Sequence, residues 1–426
     1  MRRAGAVVRY EHQIRNCFAA EIGNFGVTPE GYDIALARTA PALAQISAWH
    51  ASSSHPFLQY PDRKDDLHEL ERAACRLRER FKKIVVIGVG GASLGGQAVT
   101  ALMPLADAGG TPIAFLDNPN STRLEAVLAG EAETGFIVIS KSGTTAETLA
   151  QTLLALDHSA ADRFLFVTGP GDNPLRRVAG ELGITVLDHD PGLGGRFSVF
   201  SLVGALPALI AGLDAGALRR GASETLEAVL SAAEPAGAPP AVGAALALSM
   251  AQQLSATVFM PYDDRLLALA YWLRQLWAES LGKDGQGTTP VVARGAVDQH
   301  SQLQLYLDGP ADKLFTLITV RTPSGSPRIA GKLATMAGAD YLAGKSLDEL
   351  MAAEASATRD ALSDAGRPVR EIVLPILDEA TLGALMMHFM LETVIIALCS
   401  NIDPFNQPSV ERGKVFARDN LRHSQS

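Results

Sequence analysis

The amino-acid sequence predicts an α/β protein with two doubly wound parallel-sheet domains and helical arms at both ends. Three observations support this prediction. Short continuous apolar runs alternate with helical patterns, the alternation stops at a glycine-rich segment and then resumes, and 426 residues are enough for two or three domains. Continuous apolar runs are typical of parallel strands, because helices cover both faces of such a sheet.

The first alternation predicts a sheet between residues 63 and 187. Each apolar run is followed by a turn or a helical pattern, as in a series of βαβ units. The expected strands are residues 84–87, 113–116, 136–139, 164–167 and 184–187, with helices over 98–105 and 146–156.

The second alternation begins after a glycine-rich connection at 188–198, a helix over 223–232 and a Pro-, Ala- and Gly-rich loop at 234–240. Its expected strands are 258–261, 314–320 and 371–374, and its expected helices are 264–281 and 380–398. We therefore divide the chain into an N-terminal arm (1–62), a first domain (63–195), a helical connection (196–240), a second domain (241–400) and a C-terminal helical arm (401–426).

Composition narrows the class of protein. Hydrophobic residues make up 47% and charged residues 19%, as in an ordinary globular protein. The net charge of −9 argues against a general nucleic-acid binder. The cysteines are Cys17, Cys75 and Cys399. They are widely spaced and show no zinc-binding pattern, so we expect no bound metal and a location in the reducing cytoplasm.

Two long apolar segments could suggest a membrane location. Residues 199–213 are short for a span and contain Pro207. Residues 381–400 are long enough, but His388 and Glu392 interrupt them. Both segments are therefore predicted to be buried helices of a large core, and no membrane partner is expected.

A strand, a hydroxyl-rich turn and a helix follow one another around residue 140. The turn carries Ser140, Lys141, Ser142, Thr144 and Thr145. The first N–H groups of a helix have no intrahelical partner and attract anions, and hydroxyls add uncharged donors. A simple helix N-cap would need only one of these hydroxyls, so the motif favours a phosphate-binding site.

A glycine cluster directly after the first strand, residues 88–96, suggests a nucleotide site but does not fit one. The dinucleotide fingerprint requires a sixth-position glycine where Ser93 stands, and the P-loop lysine is missing. Two interpretations remain open: close backbone approach to a small polar ligand, or packing of a helix on the sheet.

Six motifs follow one another along the sequence: residues 88–95, 140–148, 194–198, 279–283, 299–300 and 407–414. Taken together, they resemble the glucose-6-phosphate isomerase family in its shorter bacterial form. The resemblance spans about residues 85–414. It implies two flavodoxin-like sugar-isomerase (SIS) domains, usually in a homodimer, and reversible aldose–ketose isomerisation of glucose 6-phosphate to fructose 6-phosphate in glycolysis and gluconeogenesis. The resemblance also implies that the reaction proceeds through a cis-enediolate and needs no metal or redox cofactor.

Proton transfer is expected to involve Glu279, near the end of an apolar helix. The resemblance implies that Glu279 is the base that moves a proton between two carbons. Gln275 lies one helical turn earlier on the same face, and the resemblance makes it a substrate contact. Arg196 follows a glycine pair, and its permanent charge suits stabilisation of the enediolate. An interdomain ion pair is the structural alternative for Arg196.

Ring opening is expected to involve His300 and Lys414. Histidine titrates near neutrality and can move protons between the ring oxygens. The resemblance implies that His300 reaches the active site from the neighbouring subunit, that Lys414 assists it, and that Gln407 binds substrate. Gln407 and Lys414 are seven residues apart, about two helical turns, so both would face one site if the segment were helical.

One departure from the family pattern lies in the glycine cluster, where Gly91 and Ala92 are expected to contact substrate. The family usually has serine at the position of Ala92, and that hydroxyl contacts the phosphate. The hydrogen bond is therefore either lost or supplied by Ser93. Losing it would weaken binding by about 1.5–3 kcal/mol without removing the proton-transfer groups.

Two other functions remain open. A phosphoglucose/phosphomannose isomerase of the same fold would keep the chemistry and widen the substrate range, but it resembles this chain less at Arg196 and at 407–414. A non-catalytic SIS sugar-phosphate-binding protein would not need Glu279 and His300 together with Arg196 and Lys414, and no DNA-binding motif is attached.

Overall fold

Two five-stranded sheets organise the chain, and nine of their ten strands run parallel to a neighbour. The computed structural model describes residues 8–103, 109–129, 133–322 and 325–423. The strands in these ranges are β1 (Glu11–Gln13), β2 (Lys83–Ile87), β3 (Ile113–Leu116), β4 (Thr134–Ser140), β5 (Phe164–Thr168), β6 (Thr185–Asp188), β7 (Ala256–Pro261), β8 (Thr289–Val292), β9 (Lys313–Val320) and β10 (Val369–Leu374).

Helices surround both sheets and form the two arms. In the described ranges they are α1 (Ala19–Ile22), α2 (Pro29–Ala37), α3 (Ala40–Ala51), α4 (Leu67–Arg80), α5 (Leu94–Thr100), α6 (Ser121–Leu128), α7 (Ala146–His158), α8 (Pro174–Leu182), α9 (Leu202–Ile210), α10 (Ala215–Ser231), α11 (Pro239–Ser249), α12 (Leu267–Leu281), α13 (Leu303–Asp308), α14 (Gly331–Met336), α15 (Leu347–Asp364), α16 (Glu379–Cys399) and α17 (Glu411–His423).

The first sheet has the strand order β3-β2-β4-β5-β6, and all its pairs are parallel. This is the flavodoxin-like order, with a switch point between β2 and β4. All five strands expected from the apolar runs are present. β4 and β5 are buried along their whole length, which explains why their sequences are continuously apolar rather than alternating. The expected helix over 98–105 begins earlier, at Leu94, and its residues 104–105 lie outside the described part of the chain.

The second sheet has the order β1-β10-β9-β7-β8. Its parallel strands repeat the flavodoxin-like order, and the antiparallel β1 occupies the edge position that β6 fills in the first sheet. The arm 1–62 therefore supplies a strand as well as helices, a role that its sequence does not indicate. The sequence does not predict β8 either, because Thr289–Val292 is short and contains a proline.

Helix α16 is the central helix of the second domain. Its length and composition would allow it to cross a membrane, but 89% of its most apolar 18-residue window is buried inside the protein. It packs against α10, α11 and α12. The buried-helix prediction for 381–400 is therefore confirmed, and so is the one for 199–213, where α9 is buried around Pro207.

A buried polar network joins α16 to the sheet and to the N-terminal arm. Glu392 and Arg370 are fully buried, with Arg370 Nη1 at 2.7 and 2.9 Å from the two carboxylate oxygens. Arg370 Nε donates to Thr316 Oγ1 at 2.8 Å. His388 bridges Glu392, at 2.9 Å, and the Tyr10 hydroxyl, at 2.7 Å.

Burial alone would raise the pKa of Glu392, but the Arg370 guanidinium and His388 outweigh it and hold this pKa at about 2. Because the folded-state pKa lies below the ordinary value of 4.5, ionised Glu392 contributes stability above about pH 4.5. That contribution is lost as the pH falls toward about 2. The network thus ties the N-terminal strand to the second domain through a charge that must stay paired.

We expect Arg370→Met to lower the free energy of unfolding by about 3–5 kcal/mol, because it leaves the buried Glu392 carboxylate without its cation. Urea denaturation measures the change. Arg177→Met is the matched control, since Arg177 pairs with Asp172 on the surface. Its effect should stay within about 0.5 kcal/mol. Equal losses in the two variants would contradict a special role for the buried pair.

Candidate active site

A cavity of about 660 Å³ lies at the carboxyl ends of β2, β4 and β5, between the first sheet, α12 and the C-terminal segment. It is located at the switch point between β2 and β4, where ligands bind in open α/β sheets. The sequence-predicted residues that line it are Gly91, Ala92, Ser140, Lys141, Ser142, Thr145, Arg196, Gln275, Glu279, Gln407 and Lys414.

The hydroxyl-rich turn connects β4 to α7 on one wall of the cavity. Thr145 occupies the N-cap position of α7, but its hydroxyl makes no capping hydrogen bond. Instead it lies 3.1 Å from the hydroxyl of Ser140, the last residue of β4. The first N–H groups of α7 therefore remain available to an anion, which favours the phosphate interpretation over a simple cap.

Ser142 and Thr144 form the outer part of this turn. The Ser142 hydroxyl accepts hydrogen bonds from the Thr144 amide, at 3.2 Å, and from the Thr144 hydroxyl, at 2.9 Å. Thr144 itself is outside the cavity lining, so it supports Ser142 instead of facing the ligand space. Gly143 between them has φ of +64°, and a Cβ there would lie 2.1 Å from Asn173 Oδ1, so only glycine fits.

Lys141 supplies the cation of the turn. Its ammonium donates to the Leu193 carbonyl at 3.0 Å. Burial lowers the pKa of Lys141, and the nearby Asp190 carboxylate partly offsets this effect. A partly desolvated ammonium beside a helix N-terminus strengthens the attraction for an anion.

The glycine cluster after β2 packs against the second glycine-rich loop. A Cβ on Gly91 would lie 2.3 Å from the carbonyl carbon of Gly195, so the two backbones touch directly. Gly195 immediately precedes Arg196, and the contact brings that side chain into the cavity wall. The structure thus adds a third use of the cluster to the two that the sequence left open: close approach of one loop to another.

Ser93 does not compensate for Ala92. Ser93 is fully buried and its hydroxyl accepts a hydrogen bond from Gln97 Nε2 at 2.7 Å, while Ala92 lines the cavity. The suggestion that Ser93 replaces the missing hydroxyl is therefore not supported by its position.

Arg196 is 2% exposed and lies beside Glu279. Its Nη1 donates to Glu279 Oε2 at 3.1 Å and to Gln407 Oε1 at 2.5 Å, and its Nε donates to Ser280 Oγ at 2.8 Å. Burial lowers the pKa of Arg196, and the Glu279 carboxylate opposes that shift. An arginine nevertheless remains protonated, so a fixed positive charge faces the cavity next to a carboxylate.

Gln275 orients the other side of the Glu279 carboxylate. Its Nε2 donates to Glu279 Oε1 at 3.0 Å, across one turn of α12 as the spacing predicts. The Oε1 atom of Gln275 is buried without a hydrogen-bond partner among the described residues. Because this oxygen is shielded from solvent, Gln275 acts on the site through its Nε2 hydrogen bond to Glu279.

The C-terminal segment closes the remaining side. Gln407 precedes a 3₁₀ turn over Pro408–Val410, and α17 follows with Lys414 in its first turn. Lys414 is exposed and donates to Glu411 Oε1 at 2.6 Å. Gln407 is therefore not on the same helix as Lys414, although both line the cavity as expected.

His300 is the predicted catalytic residue that this single chain does not bring into the cavity. It lies just after a 3₁₀ turn over Val297–Gln299 and is exposed. Its ring makes no hydrogen bond within the described ranges. An exposed position outside the cavity is what a residue donated to another subunit would show.

The comparisons with known proteins agree with this geometry. The family model for phosphoglucose isomerase matches residues 74–426. This chain belongs to the phosphoglucose isomerase family. A glucose-6-phosphate isomerase from Rubrobacter xylanophilus is 38% identical over 379 residues, which cover 84% of this chain and 87% of that protein. The family resemblance inferred from the motifs is thus confirmed.

Solved structures confirm the fold class. The crystal structure of a hypothetical protein from Thermus thermophilus has a TM-score of 0.85 and 32% identity, covering 97% of this chain and 99% of that one. A glucose-6-phosphate isomerase from Chlamydia trachomatis has a TM-score of 0.73 at 22% identity, covering 85% and 74%, and shows the shared fold.

Other residues that line the cavity of this phosphoglucose isomerase family member were not predicted from the sequence. Thr148, one turn into α7, is buried, and its hydroxyl has no hydrogen-bond partner in the part of the chain that the structure describes. His189 follows β6 directly and is 3% exposed, and burial lowers its pKa. Phe405 and Asn173 also line the cavity. The position of His189 at a strand end and the i, i+3 spacing of Thr148 from Thr145 were the available signals.

Gly91→Ala should lower activity by more than about 10-fold, because its methyl group would push the Gly195 backbone and shift Arg196. Overpacking of this kind should also cost about 1–3 kcal/mol of stability. Steady-state kinetics and thermal unfolding test both effects.

The matched control is Gly194→Ala in the neighbouring loop. Gly194 has φ of −69°, and a Cβ there would come no closer than 3.7 Å to another residue. This variant should behave like the unmodified protein. If both alanines are tolerated equally, close packing of the loops is not what holds Arg196.

Proposed function

We propose that this chain interconverts glucose 6-phosphate and fructose 6-phosphate in the cavity at the β2–β4 switch point. The observation that supports this most strongly is the Arg196–Glu279 contact of 3.1 Å, opposite a helix N-terminus rich in hydroxyls. The cavity of about 660 Å³ has the size of a small-molecule site. One wall suits a phosphate, and the other suits proton transfer next to a developing negative charge.

In this proposal the phosphate group binds at the start of α7. The N–H groups of the first turn and the hydroxyls of Ser140, Ser142 and Thr145 donate to its oxygens, and Lys141 adds a positive charge. Thr148, which also lines the cavity, lies at the same end of the helix. Anchoring the phosphate fixes the distance to the far wall, so the sugar carbons lie beside Glu279.

Isomerisation requires one proton to leave C2 and the same proton, or one from solvent, to arrive at C1. Glu279 removes the C2 proton, and electrons from that C–H bond form the enediolate, whose oxygen charge faces Arg196. Protonated Glu279 then returns a proton to C1 while the O2 hydroxyl proton passes to O1, which leaves a ketone at C2 and a hydroxyl at C1. Gln275 holds one carboxylate oxygen, and Gln407 orients Arg196 and the substrate. A protein that only bound the sugar would have no need for this carboxylate–guanidinium arrangement.

Ring opening breaks the C1–O5 bond and moves the O1 hydroxyl proton to O5, which leaves an aldehyde at C1. Lys414 lines the cavity and contributes to this step, and we infer that His300 of the partner subunit moves the proton. The exposed position of His300 in one chain supports a homodimer with two shared sites. The free cysteines, with Cys75 exposed, fit a cytoplasmic enzyme of glycolysis and gluconeogenesis.

Glu279→Gln keeps the side-chain shape and removes the base. Turnover in a coupled assay from fructose 6-phosphate to glucose 6-phosphate should fall by at least about 10². Exchange of the C2 proton with deuterium oxide should fall in parallel, while thermal unfolding is unchanged.

Glu181→Gln is the matched control, because Glu181 is an exposed carboxylate on α8 outside the cavity lining. It should retain turnover. Near-normal C2 exchange in a folded Glu279→Gln protein would exclude Glu279 as the base, and an inactive unmodified chain would exclude the proposed reaction.

Mixed dimers test the shared site. His300→Ala and Glu279→Gln chains, each nearly inactive alone, are co-expressed with different affinity tags, and the heterodimer is purified. One of its sites carries both lesions and the other carries neither, so activity should recover to about half of the unmodified level.

A heterodimer of Glu279→Gln with Arg196→Lys is the control. Both residues lie in the cavity of one chain, so each site of this heterodimer keeps one lesion and no activity should return. If the His300→Ala heterodimer also stays inactive, His300 acts within its own chain.

A further inference from the structure

Phe405 lies inside a group of aromatic rings beside the candidate active site. Its ring centroid is 4.9 Å from His55, 5.3 Å from Phe197 and 5.7 Å from both Trp49 and Phe57. We refer to these four residues, Trp49, His55, Phe57 and Phe197, as the aromatic box. Three of them belong to the N-terminal arm, to which the sequence assigned no chemistry.

The backbone on both sides of Phe405 is bound by cations. Arg196 Nη2 donates to the Pro404 carbonyl and, at 3.1 Å, to the Asn406 carbonyl. Lys283 Nζ donates to the Asp403 carbonyl. The segment is therefore held by charged donors through its backbone and by the aromatic box through the Phe405 ring.

These backbone contacts complete the hydrogen bonding of Arg196. A guanidinium has five N–H donors in one plane. In Arg196 they meet Ser280, Glu279 and Gln407 through side chains and Pro404 and Asn406 through carbonyls. Two of the five acceptors thus flank Phe405, and a displaced Phe405 would leave buried donors unpaired and turn the guanidinium.

Phe405 also separates two spaces. It lines the candidate active site and a neighbouring cavity of about 260 Å³, which is bordered by His55, Pro56 and Phe57. Lys141 and Gly194 border both spaces as well. Removing the ring would join the two spaces and admit water next to Arg196, which weakens electrostatic stabilisation there.

We propose that Phe405, held by the aromatic box, is a positioning residue that sets the orientation of Arg196 and Gln407 for the enediolate step. The N-terminal arm then acts on catalysis through Phe405 without touching the substrate. This inference rests on the proposed isomerase function. It predicts a defect in turnover rather than in phosphate binding, because the hydroxyl-rich turn at α7 is left intact.

The first test compares Phe405→Leu with Phe164→Leu. Phe164 is also a ring in an aromatic contact, 4.7 Å from Phe136, but it lies at the start of β5, far along the strand from the cavity. Phe405→Leu should lower kcat by about 10-fold or more with less than about a 3-fold change in KM, while Phe405→Tyr restores kcat. Phe164→Leu should lower the unfolding temperature and leave kcat unchanged.

The second test asks whether the ring of His55, rather than its titration, matters. His55→Phe should keep kcat and its pH profile, whereas His55→Ala should lower kcat in the same way as Phe405→Leu. Loss of activity in both His55 variants, with a changed pH profile, would overturn positioning in favour of a proton-transfer role.

A structure-based measurement separates this inference from the proposed function. In a crystal structure of Phe405→Leu, the Arg196–Gln407 hydrogen bond of 2.5 Å should be lengthened or lost. An unmoved guanidinium, or equal kcat in the Phe405→Leu and Phe164→Leu proteins, would overturn the positioning role. An inactive unmodified protein would instead overturn the isomerase proposal, and the crystallographic comparison would still decide the positioning of Arg196.

Discussion

The buried guanidinium of Arg196 is the interaction on which the site depends. A charge that is 2% exposed must be paired, and the partners of Arg196 come from two other parts of the chain. Its side chain extends from the start of the connection that follows the first domain. It contacts Glu279 and Ser280 on α12 of the second domain and Gln407 in the C-terminal segment. The desolvation cost of one cation therefore forces both domains and the C-terminal arm into a single arrangement.

The two sheets have the same strand order, but the two domains contribute different groups to the site. In the first sheet, the carboxyl edge ends in hydroxyls and a helix N-terminus, which suit an anion. The second sheet has its own cavity of about 950 Å³ at the corresponding edge, but its arginines are paired with carboxylates, such as Arg294 with Asp264 and Arg265 with Asp263. The second domain instead contributes α12, whose end carries Glu279 into the cavity of the first.

Much of the fold and the phosphate wall could be predicted, because their signals are local. The first-sheet strands follow from continuous apolar runs, and the hydroxyl turn before α7 follows from a strand, a cluster of side chains and a helix in immediate succession. β1 could not be predicted, since three residues with alternating exposure become a strand only by pairing with β10. The role of Gly91 was equally hidden, because its partner, Gly195, belongs to a loop far away in the sequence.

The sequence by itself determined the two α/β domains, the anion-binding turn and the set of residues able to perform acid–base chemistry, because periodicity and side-chain chemistry act over a few neighbouring positions. Only the tertiary structure decided which of those residues meet. It placed Arg196 against Glu279 and Gln407, assigned Thr144 to the support of Ser142, and left His300 exposed outside the cavity. Contacts between distant segments depend on how the two sheets and α12 pack, and no local pattern in the chain encodes that packing.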